Sequence, residues 1–167
     1  MIYTIRLFKK SDAAPLARLT AASIGVVGAA RYSPEQIAAW GARHPGPERF
    51  LERTDGGDLI WVAATPEDQP VAYALLEPPK ADCSAHLDML YCDPAHTRQG
   101  LADRLLTAAE EHAKQHGVNR LYTEASELAR SAFERAGYAV TQRRDFTIPH
   151  AGNDVPIHNF AMEKLLG

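Results

Sequence analysis

Asp93-Pro94-Ala95-His96-Thr97-Arg98-Gln99-Gly100-Leu101-Ala102 follows an apolar, strand-like run and opens directly into an amphipathic helix. Strand, glycine-bearing turn and helix N-terminus together form an anion cradle. The N–H groups of a helix's first turn have no intrahelical acceptor and sit at the positive end of the helix dipole, so they bind phosphate or pyrophosphate. Gly100, lacking a Cβ, lets such a ligand approach the backbone. Outward from the turn, residues 86–92 read as the incoming strand. On the other side Leu101, Leu105, Ala109 and Ala113 recur at steps of four, with Ala102 and Leu106 beside them, against charged Asp103, Arg104, Glu110, Glu111 and Lys114. That helix ends at Gly117.

Upstream, residues 2–8 alternate as a half-buried strand, and Ser11-Asp12 caps a helix running to about residue 23. The glycine-rich stretch 24–30 reads as a loop beside a site. Ser33-Pro34-Glu35-Gln36 starts a second helix, with Ser33 as N-cap, Pro34 at the first helical position and Gln36 completing a capping box. Ile37, Ala38 and Trp40 form its apolar face. After the breaker Pro45-Gly46-Pro47, residues 59–64 and 71–76 form a hairpin through 65–70. Downstream, 121–124, 126–136, 138–146 and 157–164 read strand, helix, strand, strand, with 150–154 as a connecting loop. The order is βααββ-βαβαββ, and 167 residues with 46% hydrophobic content suit one domain over 1–167.

Two ordered landmarks resemble the GNAT acetyltransferase superfamily. One is Thr97-Arg98-Gln99-Gly100-Leu101-Ala102, matching a Gln/Arg-x-x-Gly-x-Gly/Ala turn that holds the pyrophosphate of acetyl-CoA, with Thr97 where Gln or Arg is usual. The other is Leu121-Tyr122-Thr123-Glu124-Ala125-Ser126 followed by residues 129–138, similar to the family's fifth strand, next helix and Gly-aromatic pair, here Gly137-Tyr138. The Glu-Ala-Ser triplet, the Phe133 helix and the closing residues 159–164 resemble a bacterial YafP-like branch. The resemblance implies an α/β fold, a mixed seven-stranded sheet with helices on both faces and a splayed strand pair. It also implies acetyl-CoA as cosubstrate, transferred to an amine.

From that resemblance, the backbone of Leu90 and Cys92 pairs with the pantetheine arm, and the N–H of Leu90 or Tyr91 faces the thioester oxygen. The N–H groups of Arg98, Gln99, Gly100, Leu101, Ala102 and Asp103 hold the pyrophosphate. Ser126 replaces a frequent CoA-contacting asparagine and either contacts the cofactor or caps the next helix. His86 lies where histone-type relatives carry a catalytic glutamate, and an imidazole suits proton removal from an ammonium. Asp88, two residues on, either orients His86 or meets a cationic substrate, while Glu124 is a rival base or a helix cap. Phe133 occupies, on the cofactor side, the position of a frequent proton-donating tyrosine. Tyr138, Tyr122, Tyr91 or water then supplies the proton.

Composition narrows the rest. A net charge of −3 gives no general attraction to nucleic acid. Arg6, Lys9 and Lys10 read as a solvated strand end. No apolar run approaches the roughly 20 residues that span a bilayer, and the N-terminus lacks a signal-peptide pattern, so the expectation is cytoplasmic. Cys83 and Cys92 lack CxxC spacing and read as reduced thiols. His112 and His116 stand at i, i+4 without a third ligand, so no metal is expected. Tyr32 and Trp40 are core residues or acceptor-pocket walls. A small amine is the leading acceptor, a protein amine the next and a non-catalytic CoA sensor the alternative; a homodimer stays open.

Overall fold

In the computed structural model, which describes residues 1–167, strands β1 (Thr4–Leu7), β2 (Leu59–Ala64), β3 (Pro70–Leu76), β4 (Ser84–Cys92), β5 (Arg120–Ala125), β6 (Ala139–His150) and β7 (Asn153–Leu165) form one sheet. They hydrogen-bond in the order β1-β2-β3-β4-β5-β7-β6. Only β4 and β5 run parallel; every other pair is antiparallel. The helices are α1 (Ala13–Ala22), α2 (Pro34–Gly41), α3 (Glu48–Asp55), α4 (Leu101–Gln115) and α5 (Arg130–Arg135). This is the mixed seven-stranded α/β sheet that the sequence implied.

Alternation along the strands divides the interior. On one face the Leu101, Leu105, Ala109 and Ala113 stripe of α4 packs on Leu87 and on Ala63, Ala72, Ala74 and Ala85, the alanines being small enough to let helix and sheet approach closely. On the other, Leu16 and Leu19 of α1 and Phe50 of α3 cover Ile60, Val62, Tyr73, Leu75 and Met89. A third cluster, Tyr32, Ala39, Ile148, Val155 and Ile157, seats α2 against the β6–β7 ribbon. Ala39, not Ala38, is the inward alanine of α2. The Ser33 capping box forms as expected, with Gln36 N–H donating to Ser33 Oγ at 3.1 Å and Ser33 N–H to Gln36 Oε1 at 2.9 Å.

Four local expectations change. Residues 24–30 are not a loop: the helix widens into a π-turn over Ser23–Val27 and tightens into a 3₁₀ turn over Gly28–Ala30, because Ile24 is buried and Gly28 lies against Ile37. Lys10–Ala30 is consequently 21 residues of helix with a window of mean hydropathy 1.4, long and apolar enough to cross a bilayer, where none was expected; Leu16, Leu19 and Ile24 are buried within the protein instead. Residues 150–154 shrink to a two-residue turn, Ala151 (φ 50°) and Gly152 (φ 80°), both positive as a type I′ hairpin requires. Arg6 is not solvated: it forks onto Asp12 at 2.8 and 3.0 Å and reaches Asp68 at 2.7 Å.

Two irregularities in β4 set the geometry at the centre of the sheet. β4 pairs with β5 only at Ser84↔Arg120, Ala85↔Leu121 and His86↔Tyr122, after which the strands diverge. In the β3 ladder, Leu75 is opposite Met89 but Leu76 is opposite Leu87, so Asp88 is an extra residue, a β-bulge. The bulge changes the strand's phase. Before it Ala85 and Leu87 face α4; after it Leu90 and Cys92 do, while Met89 and Tyr91 face α1 and α3.

Candidate functional site

The divergence of β4 from β5 leaves a row of backbone groups without a sheet partner. Antiparallel pairs alternate between residues that exchange hydrogen bonds and residues whose N–H and C=O point outward. Asp93 N–H donates to the Val71 carbonyl at 2.7 Å, which makes Tyr91 and Met89 the other bonded positions on the β3 side. The N–H and C=O of Leu90 and Cys92 therefore face the gap. Tyr91 N–H, the alternative expected for the thioester oxygen, is turned toward β3.

An apolar slot of about 110 Å³ occupies this gap, lined by Leu90, Tyr91, Cys92, Thr97, Ala102 and Ser126, with Ser23 and Val27 closing it from the widened helix. At its end stands the glycine turn. Arg98 (φ 61°) and Gly100 (φ 71°) are both left-handed, a geometry that gathers successive N–H groups into a concave nest. The first helical bond of α4 runs from Arg104 N–H to Gly100 C=O at 3.2 Å, so the N–H groups ahead of it have no helical acceptor. A Cβ built at Gly100 would meet no atom within 4 Å, so the space in front of it is open.

Side chains around the turn serve differently. Leu101 is buried in the core, leaving only its N–H for a ligand. Asp103 leans toward Arg135 at 3.8 Å, and Thr97 Oγ1 donates to the Pro94 carbonyl at 3.4 Å. Arg98 and Gln99 are exposed. Ser126 caps, its Oγ accepting from Ala129 N–H at 3.3 Å, and also lines the slot. Cys92 Sγ donates to the His96 carbonyl at 3.4 Å, and burial pushes its thiol up to about 11. Cys83 is an exposed free thiol.

The slot shares Leu90, Tyr91, Ser126 and Ala129 with a cleft of about 960 Å³. Phe133 closes its inner wall. Tyr138, expected among the proton donors, is elsewhere: its buried hydroxyl donates to Glu110 on α4 at 3.0 Å, it lines neither cavity, and burial followed by the charge of Glu110 raises its pKa. That expectation is corrected. Tyr122 stacks on His86 with centroids 4.9 Å apart and is likewise outside the cleft, whereas Tyr91 lines it.

His86 sits between two carboxylates, Nδ1 3.2 Å from Glu77 Oε1 and Nε2 3.1 Å from Glu124 Oε1, the second contact bent away from ideal hydrogen-bond alignment. Burial alone would lower its pKa; Glu124, with Asp88 and Glu77 adding, more than reverses this and raises it above 6.5. The same contact from His86 holds the Glu124 carboxyl below its ordinary value against the effect of burial. Glu124 lines the cleft, while His86, 13% exposed, lies behind it. The sequence order of candidates is thus rearranged: Glu124 fronts His86 instead of capping a helix.

Arg53 supports the assembly from α3. It donates to Asp88 at 2.9 Å and Glu77 at 3.0 Å and pairs with Asp58. Glu77, His86 and Asp88 each bring one ligand-capable atom within 4.8 Å of the others, yet Arg53 already occupies the cationic position between the two carboxylates. His112 and His116 stack at 4.0 Å on α4, remote from both cavities. Helix α3 was missed from sequence. Its signal was Arg49 and Arg53 at i, i+4 between Pro47 and Gly56-Gly57, short enough to be hidden by the flanking breakers.

The opposite wall holds Tyr32, Trp40 and His158. Tyr32 is core and wall at once: its Oη accepts from Glu127 N–H at 2.9 Å and donates to the His158 carbonyl at 3.2 Å, while Trp40 meets its ring edge-on at 5.4 Å. His158 Nε2 contacts Glu127 Oε1 at 2.7 Å.

Residues 28–147 match the acetyltransferase (GNAT) domain. The chain is 27% identical to the N-acetyltransferase YafP of Escherichia coli over 140 residues, covering 84% of this chain and 83% of the relative. It is 28% identical to the E. coli peptidyl-lysine N-acetyltransferase YjaB over 139 residues, 76% and 88% of the two chains. Among solved structures, a GCN5-related N-acetyltransferase from Rhodopseudomonas palustris superposes with a TM-score of 0.82 at 31% identity over 99% of both chains. The PaiA N-acetyltransferase of Thermoplasma acidophilum, solved with coenzyme A, gives 0.78 at 21% over 99% of both.

Proposed function

The chain belongs to the GNAT acetyltransferase family, and from that premise we propose that it moves the acetyl group of acetyl-CoA directly to the amine of a small molecule. The observation carrying this reading is the β4–β5 gap, where outward backbone groups of Leu90 and Cys92 run along an apolar slot that ends at the Gly100 turn. Pantetheine, carrying amides along an apolar arm, suits such an edge, and a pyrophosphate suits the N–H nest. Leu90 N–H then polarises the thioester carbonyl.

In this reading Glu124 is the port for the acceptor's proton and His86 its store. The ammonium loses one proton through Glu124 to the neutral imidazole, whose raised pKa makes it the stronger base of the two. The freed amine nitrogen forms a bond to the acetyl carbon, the carbon–sulfur bond breaks, and the second amine proton ends on the departing thiolate. The products are an amide and free CoA. Because the pair titrates together, its apparent pKa values belong to both groups.

A protein lysine as acceptor is the second reading, favoured by the name of the relative YjaB. The two free cysteines support a reducing compartment such as the cytoplasm. The test is thiol release from acetyl-CoA across a panel of amines and lysine peptides, with the acetylated product weighed by mass spectrometry and acetyl-CoA binding followed by calorimetry. Tight acetyl-CoA binding with no transfer to any amine would overturn catalysis in favour of a sensor. No binding at all would remove the slot assignment.

A further inference from the structure

The acceptor cleft carries charges of both signs. Glu124 and Asp88 line it, α3 and the segment before it bring Arg43, His44 and Arg49 to its wall, and the exposed Arg144 lines it close enough to act on Glu124. Arg53, although also in the cleft, is committed to Asp58, Glu77 and Asp88. Arg49 is not. This half-buried guanidinium donates to the Arg43 carbonyl and, at 3.3 Å, to Nδ1 of His44, and no carboxylate lies against it. A guanidinium has five donors in a planar fork shaped for a carboxylate, and holding one partly out of water without a counter-ion is costly.

The contact with His44 also fixes a proton. Burial, then the charges of Arg49 and Arg43, push the His44 pKa down to about 4, so its ring is neutral at pH 7. Arg49 can only donate, which makes Nδ1 the acceptor and puts the ring hydrogen on Nε2. Nε2 lies 3.4 Å from Tyr91 Oη. With the Tyr91 oxygen accepting from His44, its own O–H is free to donate into the cleft that it lines. Burial raises the Tyr91 pKa, which keeps that proton in place as a donor and makes the phenol a poor acid. Arg49, which has no carboxylate against it, and Tyr91, whose hydroxyl hydrogen has no acceptor in the protein, together form a donor pair on the cleft wall.

We propose that the acceptor is an amine that also carries a carboxylate, a free amino acid, with its ammonium toward Asp88 and Glu124 and its carboxylate on the Arg49 fork and the Tyr91 hydroxyl. The inference rests on the transferase reading and narrows its substrate. Glu48 and Glu52 also line the cleft but are exposed, where water screens them; Arg49 is the partly buried charge that lacks a partner. The ε-amine of a lysine within a protein chain brings no carboxylate of its own to Arg49.

The experiment compares matched acceptors: free amino acids, their carboxamides and their decarboxylated amines, beside lysine peptides, with wild type, Arg49→Met and Arg49→Lys. The wild-type kcat/KM is expected to favour the acids over the carboxamides by at least about tenfold, because a site built to hydrogen-bond a substrate group rejects analogues lacking it. Arg49→Met should bring that ratio to about one, and Arg49→Lys, which keeps charge without the fork, should fall between. Acetyl-CoA affinity by calorimetry reports whether each variant is folded. Equal wild-type rates on acids and carboxamides, or transfer to lysine peptides alone, would overturn the inference and leave the transferase reading standing. A wild-type preference that survives intact in Arg49→Met would overturn the assignment to Arg49. If acetyl-CoA binds and no acceptor reacts, the transferase reading fails and the inference with it.

Discussion

Gly100 separates backbone strain from ligand exclusion. Its φ of 71° lies in the left-handed region, where an L side chain costs about 1–2 kcal/mol. A Cβ there meets no protein atom within 4 Å, so packing adds nothing to that cost. For a chain of this length each kcal/mol shifts Tm by about 2–4 °C, so Gly100→Val should melt roughly 2–8 °C lower while remaining folded. The new side chain also fills the space where a pyrophosphate would meet the N–H nest, and acetyl-CoA should bind more than about tenfold more weakly, equivalent to about 1.4 kcal/mol. Gly100→Asn completes the test, because Asn enters the left-handed region more readily than other non-glycine residues. It should melt close to wild type and still lose affinity. Calorimetric titration with CoA and a thermal melt read both quantities. Wild-type CoA affinity in both variants, with the valine protein melting lower by that margin, would refute the pyrophosphate assignment while upholding the strain argument.

Two further outcomes concern proton handling. His86→Ala and Glu124→Gln should each lower the transfer rate by roughly 10²-fold or more at unchanged acetyl-CoA affinity. Because Glu124 raises the His86 pKa, the wild-type rate should climb through a pH range above 6.5 as the imidazole becomes neutral, and residual activity in Glu124→Gln should climb at lower pH; superimposable profiles would remove the coupling from the mechanism. Tyr138→Phe should leave the pH–rate profile unchanged, since its hydroxyl is held by Glu110 away from both cavities, and Glu110 keeps Lys164 at 2.7 Å. A lost alkaline limb in that variant would restore Tyr138 as the proton donor.

Legibility followed periodicity. The α4 stripe, the Ser33 cap and the β2–β3 hairpin were readable because local spacing and burial agree there. Within the site, the strand, turn and helix order around Gly100 was readable from the motif, because a helix start exposes its first N–H groups whatever the tertiary context. What escaped depended on long-range partners. Helix α3 shows eight residues between breakers, too few to be stable alone, and it is held by Phe50 in the cluster with Ile60 and Val62 and by the ion pairs of Arg53. The glycines of residues 24–30 argued for a loop, yet the core packing of Ile24 overrides their propensity. Tyr138 follows a glycine like a family landmark, but its side chain turns to α4. Whether His86 or Glu124 fronts the cleft depends on how far the β4–β5 ladder runs before it opens, a tertiary distance that no single strand encodes.

Asp88 contributes to the molecule as a length as well as a carboxylate. Replacing it removes one charge beside His86 and Arg53. Deleting it would join Leu87 to Met89, leave Leu76↔Leu87 and Leu75↔Met89 as consecutive pairs in unbroken alternation, and remove the twist of the bulge together with the carboxylate that Arg53 holds, whereas deleting a paired residue such as Leu90 would put Tyr91 in its outward position. The stretch from Met89 to Cys92, where every residue is paired in phase with β3, is therefore the part of the strand that tolerates no change in length. At the exposed tip of the β6–β7 ribbon the rule reverses: the Ala151-Gly152 turn can accept added residues without disturbing the phase of anything upstream. Among chains built on this plan, variation in length belongs at that tip and not between Met89 and Cys92.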